Sequence, residues 1–319
     1  MPHSSSSESQ AAALGRKTIL LTGASGFIGA HLHAELRRLG ADVHAVSRQR
    51  ASGDGSWHQL DLADEDAVRS LMRDLRPKIV FHLASYVAGA RDRGLVLPTF
   101  HANLASTVYL LDAAVEHGCE RFVQVGSLEE PDPDEPVAVP SSPYAAAKAA
   151  ASAYGRMFHQ LYDLPVVLAR LFMVYGPAQR DLRKLIPYLI LTLLEGRDPK
   201  LSSGLRPVDW IYVEDVVRGL VRAALADDAV GQQVDLGSGR LITLREVVEA
   251  LYRQLAPSKE PPFGTLPDRP FEQVRKADIE ASGARLDWQP AIGLDEGLRR
   301  TIEWYTAEWN AGRAVLHTN

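Results

Sequence analysis

Short apolar runs alternate along the chain with longer segments in which apolar residues recur every three or four positions. The runs predict β-strands, because short continuous apolar stretches bounded by turn-forming residues are typical of strands buried on both faces. The longer segments predict amphipathic helices. Predicted strands lie at 18–21, 43–46, 79–83, 122–125 and 166–169, and predicted helices at 26–39, 64–75, 100–117 and 142–162. The alternation predicts the α/β class, with a doubly wound parallel sheet flanked by helices.

The pattern loosens after residue 176, where shorter helices are predicted at 182–195, 214–226, 243–255 and 293–309. We expect this part to form a smaller α/β domain interleaved with the last strands of the sheet. Residues 131–143, rich in Pro and Asp, predict a loop over the carboxyl edge of the sheet. The predicted organisation is a disordered tail at 1–15, the sheet domain at 16–172 with about 208–238, the smaller domain at 173–207 and 239–311, and a tail at 312–319.

Three glycines follow the first predicted strand and open the first predicted helix with the spacing G-x-x-G-x-x-G. Gly23 would permit a sharp turn off the strand, Gly26 the close approach of a pyrophosphate, and Gly29 tight packing of the helix on the strand. The N–H groups at the start of the helix would then face the phosphates. The motif in this context predicts a nucleotide cofactor site.

The end of the second predicted strand selects the cofactor, because the group that meets the adenosine ribose lies about 20 residues beyond the glycines. Residues 46–50 read Val-Ser-Arg-Gln-Arg and contain no acidic residue to accept the ribose hydroxyls. Ser47 and Arg48 suit a 2'-phosphate instead. The sequence therefore favours NADP(H), with NAD(H) as the alternative.

Composition argues against several other kinds of partner. The net charge is -5 and the Lys and Arg residues are scattered, so no basic stripe is available for a nucleic acid backbone. No apolar run approaches the roughly 20 residues of a membrane span. The single cysteine, Cys119, predicts a buried thiol in a reducing, cytoplasmic compartment. His31 and His33 point apart on a predicted helix, so no metal site is expected.

Tyr144 and Lys148 are four residues apart, which places a phenol and an ammonium on one face of a predicted helix. A lysine at this distance would favour the phenolate and so lower the pKa of the tyrosine. Ser127 ends the fourth predicted strand, which brings a hydroxyl to the same edge of the sheet. Together these residues predict a site for acid–base chemistry.

From residue 17 to residue 305 the chain resembles the extended short-chain dehydrogenase/reductase family of sugar-nucleotide epimerases, dehydratases and reductases. The resemblance includes the glycine turn, the Ser-Tyr-Lys set and several further strings. These strings are FHLA at 81–84, RLFMVYGP at 170–177, VDWIYVED at 208–215 and GLRRTIEWY at 297–305. The string GSLEE at 126–130, followed by SPYAAAK at 142–148, is most similar to the GDP-4-keto-6-deoxymannose-type 4-ketoreductases.

The resemblance implies a Rossmann sheet, a nicotinamide cofactor, a nucleotide-sugar substrate held against the C-terminal domain, and hydride transfer at a hexose ring carbon. It implies that Tyr144 is the general acid or base, that Ser127 hydrogen-bonds the reacting oxygen and that Lys148 tunes Tyr144, with Glu129 also in the catalytic set. The implied cofactor-binding residues are Gly23, Ser25, Gly26, Phe27, Ile28, Gly29, Ser47, Arg48, Asp61, Leu62, Leu83, Ala84, Ser85, Asn103, Val125, Tyr144, Lys148, Leu171 and Phe172. The implied substrate-binding residues are Ser127, Leu128, Glu129, Met173, Arg180 and Arg206. A homodimer formed by pairing helices 100–117 and 142–162 is also implied.

Details within the motifs separate the reactions of the family. Leu128 stands where 4,6-dehydratases carry a proton-donating Asp, whereas Glu129 stands where their glutamate lies, so the dehydratase hypothesis is weakened but survives. The leading hypothesis is an NADPH-dependent reductase of a nucleotide-diphosphate 4-keto-6-deoxyhexose. The alternative is a 4-epimerase or 4,6-dehydratase that retains NAD(P). Met173 and Val208 depart from the family pattern, which leaves Arg206 and Arg180 as candidates for the diphosphate contact.

Overall fold

The computed structural model describes residues 3–49, 56–132, 139–268 and 273–314. The strands are β1 (Thr18–Thr22), β2 (Asp42–Ser47), β3 (Trp57–Gln59), β4 (Ile79–His82), β5 (Arg121–Ser127), β6 (Val166–Leu171), β7 (Met173–Tyr175), β8 (Pro207–Tyr212), β9 (Gln233–Leu236) and β10 (Leu241–Thr243). The helices are α1 (His3–Leu14), α2 (Phe27–Arg38), α3 (Glu65–Leu75), α4 (Val96–Thr99), α5 (Ser106–His117), α6 (Pro143–Tyr162), α7 (Leu185–Leu194), α8 (Val213–Leu225), α9 (Leu244–Leu255), α10 (Ile279–Leu286) and α11 (Leu294–Asn310). The chain divides into a larger unit, Met1–Leu171 with Val217–Asp235 and Glu280–Trp288, and a smaller unit, Phe172–Val216 with Leu236–Ile279 and Gln289–Asn319.

The larger unit is built on a seven-stranded sheet in the order β3-β2-β1-β4-β5-β6-β9. Neighbouring strands from β3 to β6 run parallel. The chain order reverses at β1, which lies between β2 and β4, and ligands of such sheets bind beyond the carboxyl ends of the strands at this point. The predicted α/β class and doubly wound sheet are therefore confirmed. The sequence pattern missed β3 and β9, which have only 3 and 4 residues.

Helix α6 begins where its sequence provides a start signal. The Ser142 hydroxyl accepts a hydrogen bond from the Ala145 N–H at 3.1 Å, and Pro143 occupies the first helical turn, where its missing N–H costs nothing. The first two turns of α6 then carry Tyr144 and Lys148. Because α6 packs along β5, both side chains lie beside the carboxyl end of that strand.

Apolar side chains from successive strands form the core of the larger unit. Leu20, Val80 and Phe122 come from β1, β4 and β5, and all three are fully buried. Leu110 and Leu111 of α5 cover them and are equally buried. A sheet covered in this way explains why its strands read as continuous apolar runs rather than as alternating patterns.

One helical run in the larger unit, Arg93–His117, is long and apolar enough to cross a membrane by length and composition alone. This differs from the expectation that no apolar run approaches that length. The run includes α4, a π-helical turn at Phe100–Ala105, and α5. Core packing accounts for the apolar residues of α5, because helices that cover a sheet are apolar on their buried face.

The smaller unit contains the three-stranded sheet β10-β8-β7, in which β7 and β8 are parallel and β8 and β10 are antiparallel. Leu189, Leu251 and Leu298, from α7, α9 and α11, are fully buried in its core. Helix α9 begins with a capping box, in which the side chains of Thr243 and Glu246 each bond the backbone N–H of the other. Helices at about these positions were predicted from the sequence, whereas the three short strands were not.

The structure draws two boundaries differently from the sequence-based domains. Residues 208–216 belong to the smaller unit, because Tyr212 is buried in its core. Residues 280–288 belong to the larger unit, because Arg222 of α8 donates to the Leu286 carbonyl at 2.6 Å. Helix α10 is tied further by the Ser282 hydroxyl, which accepts from the Asp235 N–H at 2.7 Å.

The chain before β1 also differs from the prediction of a disordered tail at 1–15. Helix α1 occupies His3–Leu14, and Leu14 is fully buried. Burial of this apolar residue gives the segment a reason to be ordered that its Ser-rich composition does not suggest. Within the predicted loop at 131–143, residues 133–138 lie outside the described residues.

The buried ring of His82 links β1, β4 and α5. Thr107 Oγ1 donates to the Asn103 carbonyl at 2.7 Å, so it accepts from His82 Nε2, 2.9 Å away. His82 Nδ1 in the neutral ring then accepts from Thr22 Oγ1 at 2.8 Å. Burial, followed by the charge of Lys148, lowers the pKa of His82 to about 3.

We expect this neutral histidine to make the protein sensitive to acid. The pKa of a solvent-exposed histidine is 6.5 and that of His82 in the fold is about 3, so the stabilisation is complete above the higher value and is lost as the pH falls toward the lower one. This group alone should lower the free energy of unfolding by roughly 2–3 kcal/mol over about two pH units below 6.5. Denaturant melts across this range should show a shallower pH slope for His82→Gln, with exposed His101→Gln as the control. An unchanged slope in His82→Gln would contradict the assignment.

Candidate active site

The glycine turn after β1 has the geometry that a dinucleotide phosphate site needs. Gly23 has φ +71°, and a Cβ there would lie 2.7 Å from the Ala84 nitrogen, so only glycine fits. A Cβ at Gly29 would overlap the Gly23 carbonyl oxygen. Gly26 caps α2 and has no side chain to bond the first N–H groups of the helix. The helix N-terminus therefore keeps the donors that bind phosphate, and the chain fits a dinucleotide cofactor here.

Around this turn, the side chains of Ser25, Phe27 and Ile28 are exposed or half-buried, as expected for residues that line a ligand crevice. The Ala84 N–H donates to Thr22 Oγ1 at 3.1 Å, which fixes the backbone that follows β4. Leu83 and Ala84 thereby lie at the carboxyl end of β4. Val125 and Leu171 occupy the corresponding ends of β5 and β6.

Asn103 holds the segment after β4 rather than pointing freely into the crevice. Its Oδ1 accepts from the Tyr86 N–H at 2.6 Å and from the Ser85 hydroxyl at 3.1 Å, while its Nδ2 donates to the Tyr86 carbonyl at 3.1 Å. Asn103 is 1% exposed and lies in the π-helical turn at Phe100–Ala105, an irregularity often found at functional sites. Its role in this arrangement is to position Ser85.

Tyr144 lies at the centre of a hydrogen-bonded cluster with Ser127 and Ser85. Burial is the main reason that the pKa of Tyr144 is raised to about 12. The hydrogen bond to Ser127 opposes this rise, and the charge of Glu129 adds to it. The net shift is opposite to the one expected from a neighbouring lysine, because burial dominates. At neutral pH the phenol is therefore in its acid form.

Lys148 donates from Nζ to the Val125 carbonyl at 2.8 Å and is 5% exposed. Burial lowers the pKa of Lys148 to about 8, and the charge of Glu130 raises it in part. The spacing of Tyr144 and Lys148 thus brings both to the end of β5 as predicted. Their functional groups, however, bond to different partners.

The residues after Ser127 have contrasting environments. Leu128 is 6% exposed, and its N–H donates to the Leu171 carbonyl at 2.9 Å, which holds its backbone against the end of β6. The Glu129 N–H donates to Ser127 Oγ at 3.2 Å. Glu129 is half-buried and close enough to Tyr144 for its charge to raise the pKa of the phenol.

Glu130 is the residue that sequence reasoning missed. It is 7% exposed, and its Oε1 accepts from the Ser127 N–H at 2.7 Å. A Cβ at Gly126 would lie 2.6 Å from the same oxygen. The available signal was the glycine at the end of β5, which leaves room for a side chain from the following turn.

At the adenosine end of the crevice, Ser47 ends β2 and its Oγ accepts from the Gln49 N–H at 3.2 Å. Arg48 follows with an exposed side chain. Residue 50, part of the predicted ribose-binding string, lies outside the described residues. Asp61 is exposed and its Oδ1 accepts from the Ala63 N–H at 3.0 Å, while the neighbouring Leu62 packs into the core.

The remaining predicted residues belong to the smaller unit. Phe172 and Met173 lie at the start of this unit, and the Phe172 N–H donates to the Leu236 carbonyl at 3.2 Å. Arg180 is exposed. The Arg206 Nη2 donates to the Gln273 carbonyl at 3.0 Å, a structural contact that the sequence did not predict. Among the described residues of the whole chain, no group of three or more His, Cys, Asp or Glu is arranged to hold a metal ion.

The glycine turn at the sheet reversal and the Ser-Tyr-Lys cluster define a nicotinamide-dependent enzyme of the short-chain dehydrogenase/reductase type. A model of the NAD dependent epimerase/dehydratase family matches residues 19–237. The chain belongs to this family, which confirms the family assignment made from the motifs.

The chain is 32% identical over 315 residues to UDP-glucose 4-epimerase of Mycolicibacterium smegmatis, covering 90% of this chain and 97% of that protein. It is also 32% identical over 319 residues to dTDP-glucose 4,6-dehydratase of Actinoplanes sp., covering 91% and 98%. Among solved structures it is similar to the Thermus thermophilus UDP-glucose 4-epimerase complex with NAD, with a TM-score of 0.76, 28% identity and coverage of 91% and 99%. These relatives establish an enzyme that modifies sugar nucleotides, and their names include epimerases and a dehydratase rather than a 4-ketoreductase.

Proposed function

We propose that this enzyme is a 4-epimerase of a nucleotide-activated hexose that retains its nicotinamide cofactor. The observation that carries the proposal is the cluster of Tyr144, Ser127 and Ser85 at the carboxyl edge of the sheet, with Lys148 beside it. This cluster would place one proton carrier and two hydroxyls around a single reacting oxygen. Epimerisation at one carbon needs one proton carrier, groups that hold the reacting oxygen, and a hydride acceptor.

One set of residues in the site would bind the cofactor, and another would bind the sugar oxygen and transfer its proton. The glycine turn and the open N-terminus of α2 would hold the cofactor diphosphate. When bound, the nicotinamide supplies hydride acceptance and return. Ser127 would hold the sugar oxygen by a hydrogen bond. Tyr144 would take its proton as the phenolate, a form that the positive charge of an oxidised nicotinamide would favour, and would return it as the phenol. The acid form of Tyr144 at neutral pH suits the step that protonates a nascent alkoxide.

The same observations argue against a 4,6-dehydratase. Elimination of water needs a second acid and base beyond Tyr144, and the apolar side chain of Leu128 cannot donate a proton. Among the described residues 128–130, only Glu129 is a carboxylate beside the cluster that is not bonded to the Ser127 N–H. Glu129 is therefore better used in binding the sugar.

An NADPH-dependent 4-ketoreductase is the second candidate. Ser47 and exposed Arg48 at the end of β2 favour a 2'-phosphate, and reductases consume a diffusible reduced cofactor. The protonated Tyr144 also suits ketone reduction, because its proton would complete the new hydroxyl. This candidate and the epimerase share one half-reaction and differ in whether the cofactor leaves.

Cofactor retention therefore separates the two candidates. We expect denaturation of the purified enzyme to release about one equivalent of NAD(H), identified by its absorbance and mass spectrum. The enzyme should then interconvert UDP-glucose and its C4 epimer without added cofactor. Protein that releases no nucleotide and prefers NADPH over NADH in a titration would overturn the epimerase proposal in favour of the reductase.

Removal of the Tyr144 hydroxyl tests the assigned proton carrier. We expect Tyr144→Phe to lower kcat by ~10²-fold or more, the contribution typical of a positioned acid or base. Cofactor affinity should change much less, since the ring is retained. Tyr162→Phe, at an exposed tyrosine that ends the same helix, is the matched control. Turnover of Tyr144→Phe close to that of the unmodified enzyme would refute the assignment.

We further propose a cytoplasmic homodimer. Val96, Leu97 and Phe100 on the helical run before α5, and Tyr154 on α6, are exposed apolar side chains on the helices expected to pair. The free thiol of Cys119, whose pKa burial raises to about 12, is consistent with a reducing compartment. Light scattering at micromolar concentration should give twice the chain mass, and a monomer would contradict the dimer.

A further inference from the structure

Glu130 contacts the backbone of the candidate catalytic cluster at Ser127. Its Oε1 accepts from the Ser127 N–H at 2.7 Å, so the carboxylate is attached to the peptide that carries the Ser127 hydroxyl. It also bonds the Ser152 hydroxyl of α6. Because Gly126 has no side chain, the carboxylate occupies the space in which a Cβ would lie 2.6 Å from Oε1. The strand end thus has a glycine that accommodates this glutamate.

Two cations among the described residues act on the charge of Glu130, Lys148 on α6 and Arg170 on β6. Arg170 already forms two hydrogen bonds of 2.8 Å with the Asp235 carboxylate. Glu130 is the carboxylate whose charge acts on Lys148. A buried ammonium needs such a counter-charge, because the desolvation of an isolated ion costs several kcal/mol.

We propose that Glu130 is a positioning residue of the active site, which fixes the Ser127 hydroxyl through its backbone N–H and keeps Lys148 in its ammonium form. The inference rests on the proposed roles of Ser127 and Lys148. It does not depend on which of the two reactions the enzyme catalyses, because both use the same cluster. Glu130 itself touches neither cofactor nor sugar in this role.

Lys148 can titrate within the working pH range, and its surroundings fix the direction of any change. Among the described residues, Glu130 and His82 on β4, which is neutral, interact with its charge, and Arg170 on β6 interacts in turn with the charge of Glu130. Tyr144 lies one turn earlier on the same helix. Burial lowers the pKa of Lys148 to about 8, and the Glu130 charge opposes this shift. Loss of that charge must therefore lower the pKa of Lys148 further.

Glu130→Gln tests the charge while it preserves the shape and the acceptor oxygen for the Ser127 N–H. We expect the alkaline limb of the pH profiles of cofactor affinity and of kcat to move to lower pH by about one unit, with little change in Tm. Lys148→Arg, which stays protonated throughout, should abolish the limb and so assign it to Lys148. A limb at the same pH in Glu130→Gln and the unmodified enzyme would overturn the proposal.

A double-mutant cycle with Gly126→Ala tests the positioning of Ser127. In the unmodified background the new Cβ must displace the Glu130 carboxylate, and we expect kcat/KM to fall about tenfold. In a Glu130→Ala background the same methyl group has room, so no further loss is expected. Equal losses in both backgrounds would overturn the proposal.

Cofactor affinity separates the failure of this inference from the failure of the proposed function. Fluorescence titration with NADH or NADPH, on protein from which any retained nucleotide has been removed, needs no sugar nucleotide, so the pH limb can be measured even when no substrate is turned over. A shifted limb without turnover would support the role of Glu130 and reject the substrate assignment. An unshifted limb with turnover of UDP-glucose would reject the role of Glu130 and support the substrate assignment.

Discussion

The buried ammonium of Lys148 is the group on which the rest of the candidate site depends. Removing such a charge from water is costly unless it is hydrogen-bonded and paired. The Val125 carbonyl at 2.8 Å and the nearby Glu130 carboxylate meet these needs, and both come from β5 or the turn that follows it. Helix α6 is thereby attached to the end of β5, and Tyr144, one turn earlier on α6, is brought to the same edge of the sheet.

The other side of the crevice is fixed by neutral groups. His82 links Thr22 and Thr107 as an uncharged ring, and Asn103 holds Ser85 through its amide. Burial is the main reason that His82 is neutral, and the Lys148 charge lowers the pKa of His82 further. Burial, with a further contribution from the Glu129 charge, keeps Tyr144 protonated beside these groups. Burial thus favours the phenol, which can donate a proton, whereas the half-reaction that oxidises the sugar needs the phenolate.

Sequence alone could predict the parts of the site that depend on short spacing. The four-residue separation of Tyr144 and Lys148 fixes their common helix face, and the glycine spacing fixes the turn after β1. The role of Glu130 could not be predicted in this way. It depends on the space that Gly126 leaves by having no side chain and on the hydroxyl of Ser152 from α6. The contact of Arg206 with the Gln273 carbonyl, 67 residues away in the chain, could not be predicted either. The assignment of α10 to the larger unit likewise depends on a tertiary contact.

The choice among the reactions of the family comes down to how many ionisable groups surround Tyr144. Hydride transfer at one carbon needs a single proton carrier, whereas elimination needs another acid and base at the neighbouring carbons. Among the described residues that directly follow Ser127, Leu128 is apolar, Glu130 accepts from the Ser127 N–H, and Glu129 is the half-buried carboxylate beside Tyr144. A single carboxylate would have to accept one proton and donate another within the same elimination. Chemistry confined to one carbon therefore makes the fuller use of the groups that this turn provides.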